Sequence, residues 1–156
     1  MHGYCFIAKP YIDNPLQKGH TLIVPKLAEP EADYIFDLED DILSEMLVFS
    51  KQVAKGIKGA IACKRVGVAV IGLEVPHVHM HLIPISKEGD MSFANAKMTL
   101  PAEEMVEIAN SIISVFISFK YFINQMFYLF SVSAHSLGID QRSLHSLYGL
   151  SKINIL

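Results

Sequence analysis

Apolar residues fall into short runs over the first quarter of the chain and then settle into a longer period. Tyr4 to Ala8 is short, apolar and aromatic, which predicts a strand. Pro10, Asp13-Asn14-Pro15 and Lys18-Gly19 then supply turn chemistry from Pro10 to Gly19. His20-Thr21-Leu22-Ile23-Val24 predicts a second strand, ended by Pro25. A stretch rich in Pro and Glu leads to Asp37, a candidate N-cap with Asp40 three residues on. Glu39 and Asp41 lie where a helix dipole favours carboxylates. From there Ile42, Met46, Phe49, Val53 and Ile57 recur at steps of three or four. The spacing predicts a helix from about Leu38 to Lys58, with Lys51, Lys55 and Lys58 off the apolar stripe and Gly59 as its stop.

Period two returns over Arg65 to Ile71, where Val66, Val68 and Val70 share one face and Gly67 and Ala69 the other. Gly72-Leu73-Glu74-Val75-Pro76 separates this run from His77 to Ile85, so the two read as adjacent antiparallel strands. Lys87 to Thr99 is a polar loop. Pro101 at a first helical position, with Glu103 and Glu104 behind it, opens a second helix through Met105, Ile108 and Ile112. Ile112 to Val132 is almost wholly apolar, and Ser131 to Leu156 is Ser-rich. A bilayer span of ~20 residues fits that apolar length, but Lys120, Asn124 and Gln125 near its middle are costly in lipid. A helix packed on the domain or on another subunit is the preferred reading.

At 156 residues, 51% hydrophobic and 19% charged, the chain suits one ordinary domain with a real core. A formal net charge of -3 and the lack of a Lys/Arg block argue against a nucleic-acid groove while leaving room for a local anion pocket. Cys5 and Cys63 form no CxxC pair, so neither a disulfide scaffold nor a cysteine zinc site is indicated. No signal peptide is legible at the N-terminus, and the cytoplasm is the expected compartment.

The chemistry concentrates in Val75-Pro76-His77-Val78-His79-Met80-His81-Leu82-Ile83-Pro84. On a strand, His77, His79 and His81 would project from one face while Val78, Met80 and Leu82 enter the core. Alternate Cα atoms lie ~6.5 to 7 Å apart, which lets the rings surround one tetrahedral group such as phosphate. Packing alone does not account for the row, because three buried imidazoles leave ring nitrogens in need of partners. For His2, His135 and His145 an ordinary structural role is the better reading. The competing chemical reading of the row is zinc, with two nitrogens from the HxH pattern and a third ligand from His81 or His20.

His77-Val78-His79-Met80-His81-Leu82-Ile83 fits His-φ-His-φ-His-φ-φ, where φ is an apolar residue. Asn14-Pro15-Leu16-Gln17-Lys18-Gly19-His20-Thr21-Leu22-Ile23-Val24-Pro25-Lys26 precedes it, with a helix between the two. In both blocks the chain resembles the histidine triad (HIT) superfamily, and within it the Hint-type nucleotide phosphoramidases, over about Tyr4 to Val115. The resemblance implies an α+β fold, an antiparallel sheet packed with a long helix plus a C-terminal helix, in a two-fold homodimer. It also implies a hydrolase or transferase acting at the α-phosphate of a purine nucleoside monophosphate ester or amidate, without a metal or other cofactor. By motif position His79 is the nucleophile that forms a nucleotidyl-histidine, His81 contacts the phosphate, and His77 serves the proton relay to the leaving group. Neutral imidazole suits the first role, being nucleophilic near its ordinary pKa of ~6.5.

Asp13 takes the ribose-binding position if one residue is missing between it and Asn14. Phe6, Ile7 and Ile12 are candidates for a purine wall. Leu73 stands where the family has a Gln that reaches the phosphate region. Glu74 stands where the Hint branch has a Ser that assists the leaving group, and as a carboxylate it would act as an acid if its pKa were raised or repel phosphate if ionised. The family's opening helix and strand have no counterpart ahead of Cys5. These departures keep a second function open, a nucleotide-binding or interaction module without turnover. The expected organisation is a HIT-like domain over 1–116 and an extension over 117–156. Nine apolar residues between Ile112 and Ile123 surround a helix axis almost completely, an aggregation-prone arrangement unless covered. A chain ended at Val115 should therefore be more soluble than the full chain and at least as active, as judged by sedimentation of expressed protein and by turnover.

Overall fold

The predicted strands pair with their neighbours along the chain, and the two antiparallel pairs so formed join into one sheet. The computed structural model describes residues 5–10, 12–26 and 32–118. Within them β1 (Cys5–Lys9), β2 (Thr21–Lys26), β3 (Arg65–Ala69) and β4 (Met80–Ile85) form one antiparallel sheet in the order β1-β2-β4-β3. Helix α1 (Asp40–Ala60) covers it, and a second helix, α2, runs over 102–118. The architecture is the α+β fold that the sequence implies. The described residues up to Phe116 form one compact unit. His2, His135, His145 and the tail beyond 118 lie outside the described residues. Among the described residues no helix is long and apolar enough to cross a membrane.

Several boundaries move for identifiable reasons. Strand β2 runs through Pro25 instead of stopping there. It meets β4 only over Thr21 to Ile23, so Pro25 faces a strand on one side alone, opposite Phe6 of β1, and its missing N–H breaks no second ladder. The same holds for Pro84, which pairs with Val66 beyond the reach of β2. Helix α1 starts at Asp40, not near Leu38, because Ile35–Asp37 forms a separate 3-10 turn. Glu39, not Asp37, is its N-cap residue. Strand β4 begins only at Met80. Its neighbour β3 ends at Ala69, opposite His81, and the Val78 N–H is instead donated to the Ala32 carbonyl at 3.1 Å. Two of the three triad histidines thus precede the strand. Pro101 sits one residue before α2, its carbonyl accepting the Met105 N–H at 3.1 Å.

The alternation nonetheless survives across that boundary. Val78, Met80 and Leu82 are buried, while His77, His79 and His81 are half-buried. The predicted helix stripe supplies the opposing layer through Met46, Val53 and Ile57, which pack with Ile23 and Leu82 in the core. Ser50 joins this stripe by donating its hydroxyl to the Met46 carbonyl at 2.8 Å while lying 3.2 Å from the Met80 sulfur. On β3 the two faces are less distinct than expected, since Val68 is half-exposed at the sheet edge.

Helix α2 closes on α1 where α1 has no side chains. A Cβ at Gly56 would lie 3.1 Å from the Ile112 carbonyl oxygen, and one at Gly59 would lie 2.6 Å from Val115 Cγ1. Glycine inside a helix is unfavourable by roughly 1 kcal/mol relative to Ala, so close helix contact is what these positions gain. Ala109 and Ile112 of α2 are buried, and Ile112 lies against Gly56. Gly56→Val should therefore lower stability by about 1–3 kcal/mol through overpacking of this buried contact. Chemical denaturation followed by circular dichroism measures this.

Candidate active site

A tight turn delivers the first functional side chain. Gly19 holds φ +81, a conformation that side chains resist, and a Cβ there would lie 2.8 Å from Ile61 Cγ1. Around it the His20 N–H is donated to the Gln17 carbonyl at 3.0 Å, and the Thr21 hydroxyl to the Gly19 carbonyl at 3.0 Å. The turn folds back so that the Leu16 N–H reaches His20 Nδ1 at 3.2 Å. His20 itself is buried, 4% exposed. Its ring faces His81, which the register sets opposite Leu22 of β2 and Ala69 of β3.

The protons on these rings follow from groups that can act in only one way. A backbone N–H can only donate, so His20 Nδ1 accepts and its proton resides on Nε2. His20 Nε2 lies 3.0 Å from His81 Nδ1 and donates to it, which leaves the His81 proton on Nε2. In the opposite sense, the His77 carbonyl can only accept, at 2.7 Å from His79 Nδ1. His79 therefore carries its proton on Nδ1 and an open lone pair on Nε2. The His79 and His81 rings meet edge to face, centroids 4.8 Å apart, and each keeps one ring nitrogen free of these bonds. One of those nitrogens presents a lone pair and the other an N–H.

Electrostatics supports neutral rings for the inner pair. Burial first, and the nearby His81 second, lower the His20 pKa to about 4. Burial first, and His79 second, lower that of His81 to about 4. Two charged imidazoles at hydrogen-bond distance would repel, whereas two neutral ones share a proton without penalty.

The structure brings His79 and His81 together, with His77 contributing the carbonyl that sets the tautomer of His79. Phe6 is placed elsewhere. It belongs to the core and stacks on Phe49, centroids 5.6 Å apart, so its ring is used in packing rather than in a purine wall. Asp13 is exposed in the bend before His20, Ile12 is half-buried beside it, and Ile7 is exposed on β1. Glu74 is exposed in the loop leading to His77, next to Leu73 at 88% exposed. Two participants are not legible as such in the sequence. His20 enters there as a strand residue, within the second motif block and as a candidate metal ligand, but not as a partner of His81. Phe93, whose ring meets His81 edge to face with centroids 5.0 Å apart, lies in a segment that reads as polar loop. The zinc reading gains no support. Both ring nitrogens of His20 are engaged, and among the described residues no group of three His, Cys, Asp or Glu is placed to hold a metal ion.

Comparison with known proteins agrees with this geometry. The HIT domain family model matches residues 10–88, which span both the turn of His20 and the histidine row. The chain belongs to the HIT family. An uncharacterized HIT-like protein of Borreliella burgdorferi is 29% identical over 107 residues, 64% of this chain and 75% of that protein. Another, from Methanocaldococcus jannaschii, is 38% identical over 87 residues, 49% of this chain and 60% of that protein. Among solved structures, a hypothetical histidine triad nucleotide-binding protein of Sulfolobus tokodaii superposes with TM-score 0.59 at 22% identity, over 77% of this chain and 83% of that one. A zinc-bound histidine triad family protein of Mycobacterium smegmatis does so with TM-score 0.58 at 16% identity, over 78% and 84%. These likenesses show that the fold is shared.

The neutral inner pair of this HIT domain has a measurable consequence. Unfolded imidazoles titrate near 6.5 and the folded ones near 4. Between those values the unfolded chain takes up protons that the folded chain refuses. Stability should therefore be full above about pH 6.5 and fall as the pH drops toward 4, by on the order of 2–3 kcal/mol from His20. Chemical denaturation at pH 7.5 and pH 4.5 measures the loss. Equal stability at the two values would show that the pair is not held neutral.

Proposed function

We propose that this HIT domain cleaves a P–N or P–O bond at the α-phosphate of a purine nucleoside monophosphate derivative through a covalent nucleotidyl-histidine. The observation that carries the reading is the pair of outward nitrogens of opposite character, a lone pair on His79 Nε2 beside an N–H on His81 Nε2. Family membership supports it, as does the nucleotide-binding description of the Sulfolobus tokodaii neighbour.

In the proposed sequence His79 Nε2 attacks phosphorus, the P–N bond breaks, and the departing nitrogen takes a proton delivered through the His77 side of the site. His81 Nε2–H donates to a non-bridging phosphate oxygen as charge accumulates there. Water then attacks the phosphohistidine bond, releasing the nucleoside monophosphate and restoring His79. Asp13, on the exposed bend, is assigned to the ribose. Ile12 is assigned to the base, and Glu74 to the leaving-group side. The edge of β3 is assigned to sheet extension across a two-fold dimer. Residues 117–156 are assigned to an extension outside the catalytic domain.

The competing module without turnover draws on Leu73, which cannot hydrogen-bond a phosphate as an amide can. Assay of AMP release from adenosine 5′-phosphoramidate, beside calorimetry with AMP, separates the two readings. His79→Ala should reduce turnover by roughly 10³-fold or more with AMP binding retained. Undiminished turnover in that variant would overturn the mechanism, and AMP binding without turnover in the unaltered chain would establish the module.

A further inference from the structure

The segment that follows β4 returns to the site and is tied down along its length. The Asp90 carboxylate accepts the Ser86 N–H at 2.8 Å and the Lys87 N–H at 3.1 Å. These backbone hydrogen bonds hold its carboxyl below the usual range. Met91 lies over Gly67 of β3, where a Cβ would overlap its sulfur. The turn at 92–95 is closed by the Asn95 N–H on the Ser92 carbonyl at 3.1 Å, and by the Asn95 side-chain amide on the Gly89 carbonyl at 2.7 Å. Beyond it the Met98 N–H is donated to the Pro15 carbonyl at 2.8 Å, and Glu104 pairs with Lys18. Those last two ties fall on either side of Leu16, whose N–H sets the His20 tautomer.

Phe93 projects from the closed turn onto His81. The imidazole of His81 is then packed by three rings: His20 at 5.2 Å between centroids, His79 at 4.8 Å and Phe93 at 5.0 Å. The titratable groups among them are His20 and His79, whereas the Phe93 ring itself adds an apolar edge and no charge. Rotation of His81 about its Cβ–Cγ bond would break the bond from His20 and exchange its outward N–H for the other ring edge. A ring set nearly perpendicular to His81, at 75°, opposes that rotation.

We propose that Phe93 is a positioning residue for His81, held on the imidazole by the strap over 91–98 so that the outward His81 Nε2–H keeps one direction. The proposal rests on the reading that this N–H serves the phosphate. It has a readout that does not require turnover, because nitrogen-15 shifts of the histidine rings report tautomer and protonation directly.

In the full chain, Phe93→Ala should convert His81 from one Nε2–H tautomer to a mixture and move its titration midpoint up from about 4. It should lower kcat about tenfold on adenosine 5′-phosphoramidate with KM changed less than about twofold. Phe93→Tyr, which keeps the ring, should restore both. If the alanine variant does not fold, as judged by thermal melting, Phe93→Leu replaces it, with smaller changes of the same sign. A folded variant whose His81 shifts and titration match the unaltered chain would overturn the proposal. So would a fall in activity confined to KM. An unaltered chain without turnover would sink the hydrolase reading and leave the nitrogen-15 comparison to decide the role of Phe93.

Discussion

One backbone hydrogen bond sets the chemistry of the histidine cluster. The Leu16 N–H on His20 Nδ1 fixes a proton on the far side of that ring, which fixes His81 as an acceptor on its inner edge and a donor on its outer edge. Neither imidazole chooses its tautomer independently, because each inherits it from a group whose role is invariant. What makes this possible is the turn at Gly19, whose positive φ folds Leu16 back over the ring that follows it. His79 obeys the same logic in the opposite sense, anchored to a carbonyl instead of an N–H. Adjacent rings therefore present complementary nitrogens to one place.

The sheet supplies the distances. His81 is the residue of β4 that sits between Leu22 and Ala69, close to where both ladders end. Its backbone is fixed by the strands that flank it. His79, just outside the ladder, is free to turn its Nδ1 back to the His77 carbonyl, a contact that a regular strand would spend on a neighbour. The end of β3 at Ala69 thus leaves room for this arrangement. Were β3 continued opposite Val78 and His79, their backbone groups would enter the ladder and the local arrangement around His77 would be lost.

Much of this was readable in the sequence, and the failures have physical causes. Period two over Val78, Met80 and Leu82 predicted the buried face correctly, since burial depends on side-chain alternation and not on ladder hydrogen bonds. The bounds of β2 and β4 were misjudged at Pro25 and His77 because they depend on where the neighbouring strands stop, which is long-range information. The helix stripe was plain in Met46, Val53 and Ile57. The start of α1 was not, because Ile35–Asp37 turns into a separate 3-10 segment. Phe6 was a candidate for a site wall although a strand position favours core, and it packs in the core against Phe49. Phe93 carried no periodic signal at all, and its meaning arises from a turn that brings residue 93 back to residue 81.

A site made of neutral imidazoles recognises an anion differently from one made of cations. Arg and Lys attract phosphate at long range, whereas an oriented neutral N–H acts only over hydrogen-bond distance and favours the geometry in which oxygen charge is greatest. The rings that pack His81 are His20, His79 and Phe93, and none of these residue types carries the permanent positive charge of an Arg. Burial keeps His20 and His81 uncharged, so an anion placed beside them would meet oriented N–H groups rather than net positive charge. The same burial makes direction decisive, because a neutral donor that rotates away from its oxygen loses most of its effect, while a misplaced cation loses little. In such a site the direction of an imidazole depends on the side chains packed against it.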